Sequence, residues 1–153
     1  MAITKVTRHN TPAFEAYLAA AQSVTEATDT KLTFTAETFD SDGKFASSRF
    51  TPTISGKYFF YSKAGTDPSS YENERSGLMK LYKNGADVAH YKSDHMTGGN
   101  TSTDGSTATT HNIYGTIDLD TDDYLEIYFN FNTWSDSGAT VLNKVFGAYR
   151  IGA

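Results

Sequence analysis

The sequence predicts an all-β domain, and three observations carry that prediction. Short runs rich in β-branched and aromatic residues are separated by clusters of Gly, Asn, Asp, Ser and Thr, the composition of strands and turns. Asn84-Gly85 sits between two such runs, at 78–83 and 88–92, and both residues tolerate the positive φ of a tight hairpin. Residues 50–63 (FTPTISGKYFFYSK) lead through a Pro and a Gly into a strand that is apolar on both faces. Side chains alternate along a strand, so Tyr58 and Phe60 point one way and Phe59 and Tyr61 the other. An antiparallel sheet ordinarily leaves one face to water, so a second apolar face needs a cover. In a chain of 153 residues the expected cover is another copy, which makes Tyr58, Phe59, Phe60 and Tyr61 candidate subunit-interface residues.

The elements follow in order. Residues 11–21 (TPAFEAYLAAA) offer an N-cap, Pro at the first helical position and apolar residues at helical spacing, yet Phe14, Ala16 and Leu18 also alternate as a strand. Residues 31–35 and 38–39 are short β pieces, and the turn Asp40-Ser41-Asp42-Gly43 leads to a strand over 45–50. Strands at 113–119 and 124–131 flank Asp120-Thr121-Asp122-Asp123 as a second hairpin. Residues 145–151 are expected to form a central, paired strand. Residues 65–76 and 93–110 exceed the usual few residues of a connection and read as long polar loops.

Composition excludes several function classes. With 13 Lys+Arg against 18 Asp+Glu the net charge is −5, the wrong sign for gripping a phosphate backbone, so no nucleic acid is expected as partner. The chain has no Cys, which removes disulfides, thiolate nucleophiles and zinc–thiolate sites. There is no secretory pattern in the first residues, and no stretch approaches the ~20 apolar residues of a spanning helix, so neither export by a leader nor membrane insertion is expected.

A set of residues then appears in a telling order. Pro12-Ala13-Phe14 with Ala16 and Phe34 is followed by Phe50, Pro52, Gly56, Tyr58 and Phe60 in the spacing F-x-P-x-x-x-G-x-Y-x-F. Leu81 with Asn84-Gly85, Leu119 with Asp123, and Val145-Phe146-Gly147 complete it. Together they resemble the globular head of complement C1q and its tumour-necrosis-factor-like relatives, over nearly the whole chain. That resemblance implies a jelly-roll β-sandwich of about ten strands, assembled as a trimer with an aromatic inner sheet along the three-fold axis. It also implies that the segment around residues 13–18 is the first strand rather than a helix. The division is a 1–11 N-terminal arm and a 12–153 head. Two departures stand out: Asp122-Asp123 replaces the family's Gly-Asp, and no collagen-like stalk precedes the head.

Candidate sites are weighed on chemistry. Asp40 and Asp42, and Asp118, Asp120 and Asp122, are the carboxylates that calcium would use, but neither turn completes the D-x-[DN]-x-[DN]-G…E loop. Asp and Gly are ordinary turn residues, so no cofactor is expected and calcium is the only ion considered. His9, His90, His95 and His111 show no metal-ligand spacing and read as solvated surface residues. No G-x-S-x-G elbow or phosphate loop is present, so no catalytic residues are assigned and the chain is not expected to be an enzyme. In the strand at 124–131, Leu125, Ile127, Phe129 and Phe131 form a core face, and Tyr124 and Tyr128 an amphipathic one. Those two tyrosines, with Tyr114 and Tyr149, join the interface set.

The expected function is that of a non-enzymatic virion structural and binding protein: a trimeric head used as capsid decoration or fibre tip. Partners would be its own copies, other virion proteins and a host-surface glycan or protein. Tyr71, Met96, Asn100, Asp104, Trp134 and Asp136 are the loop residues expected to contact that partner. The alternatives are a secreted, extracellular adhesive or ligand module of a cellular organism, and a jelly-roll carbohydrate-active enzyme.

Overall fold

The computed structural model describes residues 11–18, 20–68, 74–96, 109–133 and 139–153, and among them there is no helix. The strands are β1 (Ala13–Leu18), β2 (Gln22–Val24), β3 (Thr30–Lys31), β4 (Ala36–Asp40), β5 (Phe45–Ala46), β6 (Arg49–Phe50), β7 (Gly56–Pro68), β8 (Glu74–Lys83), β9 (Ala86–Met96), β10 (Thr109–Leu119), β11 (Leu125–Thr133) and β12 (Ala139–Gly152). Sheet I runs β10-β7-β12-β1-β4 with β2 also on β12, and sheet II runs β5-β6-β11-β8-β9 with β3 also on β11. All strand pairs within the sheets are antiparallel, and the inner faces of the two sheets share one core.

β1 resolves the conflict between helical spacing and strand alternation. Its backbone pairs with β12 on one side and β4 on the other, so every position is fixed by ladders that a helix could not make. Phe14 and Ala16 point inward and are fully buried, while Tyr17 points out. Tertiary pairing overrides local propensity here.

The F-x-P-x-x-x-G-x-Y-x-F spacing acquires a physical reason. Phe50 stacks on Phe14 with ring centroids 4.4 Å apart and tilts against Tyr58, so the motif's first and ninth positions meet in the core. Tyr58 reaches back and its hydroxyl donates to the Ile54 carbonyl at 2.6 Å, closing the turn between them. Gly56 has φ +145°, and a Cβ there would collide with the Gly152 carbonyl and the Arg150 guanidinium. Only glycine fits.

Several sequence expectations need correction. Residues 45–50 are not one strand but a tight hairpin, β5–β6, turning through Ser47 and Ser48, both at positive φ. Asp120 to Asp123 does not join a hairpin, since β10 lies in sheet I and β11 in sheet II; the turn carries the chain across the sandwich. Asp123 anchors it, accepting from the Asp120 amide at 2.7 Å and the Asn84 amide group at 2.6 Å. Of residues 31–35 only Lys31 is in a strand, although Leu32 and Phe34 are buried. β7, β8, β9 and β10 extend well into the segments read as long loops. The Asn84-Gly85 hairpin, with φ of 54° and 78°, and the central position of β12 are as expected.

Candidate assembly interface

The outer face of sheet I is built by the same alternation that fills the core. Strand register lines up Tyr114 (β10), Tyr61 (β7), Gly147 (β12), Glu15 (β1) and Phe39 (β4) in one row. The next row holds Thr116, Phe59, Tyr149 and Ala13. Phe59 is the hub, with ring centroids 5.4 Å from Tyr149, 6.4 Å from Tyr61 and 6.5 Å from Tyr114. Among the described residues the exposed large apolar side chains are Tyr17, Phe39, Tyr114, Tyr149 and Ile151, and every one belongs to sheet I.

A carboxylate, Glu15, sits in the middle of this face. The Tyr61 ring lies flat across Gly147, where a Cβ would collide with it, and its hydroxyl donates to Glu15 Oε2 at 2.5 Å. Burial first, then the Glu15 carboxylate, push the Tyr61 phenol well above its ordinary 10. Beside Glu15 a groove of about 370 Å³ opens among β1, β4, β7 and β12, walled by Tyr17, Leu18, Thr38, Lys63 and Val145. Close by, β12 bulges at Asn143 (φ 48°), and Lys144 is fully buried with one long bond, 3.5 Å, to the Ala20 carbonyl. Burial alone lowers the Lys144 ammonium from 10.5 to about 8.

Sheet II presents a different outer face. Asp29 accepts from Lys80 at 2.7 Å, Tyr82 at 2.6 Å and Asn130 at 2.7 Å. Burial alone would raise this carboxyl, but those hydrogen bonds outweigh it and hold it at about 2, below its ordinary 3.8. Glu126, almost fully buried, is paired with Lys31 at 2.6 Å and Arg49 at 2.9 Å. Tyr82 and Tyr128 stack at 4.0 Å, and the Arg49 guanidinium lies 3.8 Å over Tyr124.

The interface residues inferred from sequence therefore divide. Phe59, Tyr61, Tyr114 and Tyr149 come together on one face. Tyr58 and Phe60 do not: both are fully buried in the chain's own core, so nothing of them is left for a partner. Tyr124 and Tyr128 lie on sheet II, occupied by Arg49 and Tyr82. Sequence reasoning missed Glu15, Tyr17, Phe39 and Gly147. Once Phe14 and Ala16 are set inward, strand alternation alone puts Glu15 and Tyr17 outward, whereas Phe39 depends on a bulge in the β1–β4 pairing.

Of the carboxylates considered for calcium, Asp40, Asp42 and Asp118 have partners within the chain. Asp118 is bound by Lys57 at 3.0 Å, and the Lys83 amine donates to its carbonyl at 2.9 Å. Asp40 accepts from the amides of Asp42 and Phe45, and Asp42 from the hydroxyls of Ser41 and Thr53, which fastens the turn. Asp120 and Asp122 lie in the exposed corner turn, and no group of three or more acidic or histidine ligands converges among the described residues. His111 is not a surface residue but is buried edge-on against Phe129, 4.9 Å between centroids. Tyr71, Asn100, Asp104, Trp134, Asp136 and His9 lie outside the described residues, as do the side chains of Met96 and His95.

Two antiparallel sheets with this strand order and this inner-sheet motif define a C1q/TNF-like jelly roll. Solved structures similar to the chain include the globular domain of zebrafish complement 1qA protein, at TM-score 0.67 and 16% identity, covering 93% of this chain and 98% of that one. Murine APRIL (TM-score 0.63, 8% identity, 93% and 100% covered) and Eiger TNF from S. frugiperda (0.61, 8%, 93% and 92%) share the fold. No protein-family model and no curated protein matches the sequence.

Proposed function

We propose that the chain is a non-enzymatic binding module that works as a homotrimer, its copies joined through the aromatic outer face of sheet I. The observation that carries this reading is that, among the described residues, the exposed large apolar side chains all lie on that one sheet, while the outer face of sheet II is closed by its own ion pairs. A contiguous apolar patch of this kind marks an interface. The C1q/TNF-like fold supports three-fold closure, because the family resemblance implies an inner sheet along the axis. Mass photometry at micromolar concentration tests it: trimers are expected, and monomers would overturn it.

The narrower role is that of a virion component, a capsid decoration or fibre tip, presenting the loop residues Tyr71, Met96, Asn100, Asp104, Trp134 and Asp136 to a host-surface glycan or protein. That step is an analogy at the level of fold, supported by a rigid β-scaffold with polar-aromatic connections. Immunogold labelling of particles would place the protein on the virion, and unlabelled particles would reject the role. The names of the similar structures, complement 1qA, APRIL and Eiger TNF, favour a second reading: a ligand-type module of a cellular organism with the same assembly.

A further inference from the structure

The outer face of sheet I carries a hole, a projecting ring and an open acceptor at matched heights. The hole is the groove of about 370 Å³ beside Glu15, with apolar walls from Tyr17, Leu18 and Val145. The projecting ring is Tyr114 on β10, an edge strand of sheet I; it is 70% exposed, the most of any large apolar side chain described. Its hydroxyl makes no hydrogen bond among the described residues. The acceptor is Glu15: Oε2 takes the Tyr61 hydroxyl, and Oε1 takes no hydrogen bond among the described residues. Tyr114 and Glu15 lie on one row of the sheet, linked through Tyr61 and Gly147. In the homotrimer reading, with the three-fold axis running along the strands, each row keeps its own height, which would bring Tyr114 of one copy level with the Glu15 row of the next.

We propose that Tyr114 of each copy fills the groove of its neighbour, packing on Tyr17, Leu18 and Val145 and donating its hydroxyl to Glu15 Oε1. The contact deepens the homotrimer reading and rests on it. It is head-to-tail, since each copy gives one ring and receives one, and a heterologous contact of this kind closes into a ring when the rotation between copies is three-fold. A phenol suits the site chemically: its ring matches the apolar walls, and its hydroxyl supplies the donor the carboxylate lacks.

The chain has no cysteine of its own, so disulfide trapping is a direct test. Tyr114 and Tyr17 lie three strands apart in sheet I, about 14 Å at the usual strand spacing, beyond the ~7 Å that a disulfide spans. A bond between cysteines at these positions must therefore join two copies. The full chain carrying Tyr114→Cys and Tyr17→Cys should give covalent trimers on oxidation, seen on a non-reducing gel. Each single variant should give at most dimers. Tyr114→Ala should weaken association at least ~100-fold, and Tyr114→Phe or Glu15→Gln by roughly 10-fold. If the reduced double variant is still trimeric by native mass spectrometry but on oxidation gives only the products of the single variants, the contact is wrong and the trimer stands. If the wild type is monomeric, both fail.

Discussion

The outer faces of the two sheets solve the same problem in opposite ways. On sheet II the packed carboxylates among the described residues have their counter-charges in the same chain: Glu126 with Lys31 and Arg49, Asp29 with Lys80. Its tyrosines are stacked on each other or capped by a guanidinium. On sheet I Tyr17, Tyr114, Tyr149 and Phe39 face outward and the central carboxylate has one donor, while beneath that face a buried ammonium has a single long hydrogen bond among the described residues. The difference teaches where to look for a partner. A face that satisfies its own polar groups gains little from another surface, whereas one that leaves rings wet and an acceptor open gains from being covered.

The sharpest way to break the contrast is to place the same charge on each face. Tyr149→Asp should weaken self-association by at least ~100-fold, because the carboxylate is buried without a counter-ion. Tyr128→Asp on sheet II should leave the mass distribution unchanged. Mass photometry of the two variants reads both outcomes, and equal loss in both would erase the distinction.

Next comes the unpaired ammonium. Burial lowers Lys144 from 10.5 to about 8, so the unfolded chain binds the proton more tightly throughout that window. Wild-type stability should therefore rise as pH climbs from about 8 to 10.5, with the full penalty, roughly 3 kcal/mol, present below 8. Lys144→Met should stabilise the fold by about 2–3 kcal/mol at pH 7 and by much less at pH 10.5. Urea titrations at the two pH values measure the difference.

Asp29 is the mirror case on sheet II. Its folded value of about 2 lies below the ordinary 3.8, so its contribution is present above 3.8 and is lost as pH falls through 2. Asp29→Ala should cost about 2 kcal/mol at pH 7, with assembly mass unchanged, and should flatten the acid limb of the stability curve. The smallest effect expected is from Gly147→Ala, which pushes the Tyr61 ring off its seat. It should cost about 1–2 kcal/mol of folding stability and weaken the assembly, which thermal melting at two protein concentrations would separate.

Much of this was legible in the sequence because alternation is local. The two-faced pattern of Tyr58, Phe59, Phe60 and Tyr61 is real, and Leu125, Ile127, Phe129 and Phe131 are all core. What could not be read was which apolar face belongs to which layer. Tyr58 and Phe60 looked as free as Phe59 and Tyr61, because only the opposing sheet, with Phe50 against Tyr58, decides it. Tyr124 and Tyr128 looked equivalent to Tyr114 and Tyr149 until the Asp120–Asp123 corner sent β11 to the other sheet. The groove combines residues of β1, β4, β7 and β12, distant along the chain, and Lys144 is buried beside the bulge of β12. Nothing in its immediate sequence marks it.

The placement of β12 has a consequence for how the protein is made. This strand pairs with β7, β1 and β2, so sheet I has no middle until residues 139–152 have been synthesised. β8 and β9, joined by the Asn84-Gly85 turn, can meet as soon as they leave the ribosome, while β1, which can meet β4 early, must wait through most of translation for β12. Pairings that span so much chain are slow to form and leave strand edges unprotected meanwhile. The aromatic sheet is thus the last part of the domain to close, and a nascent chain lacking it carries those rings on strands that have not yet found their neighbours.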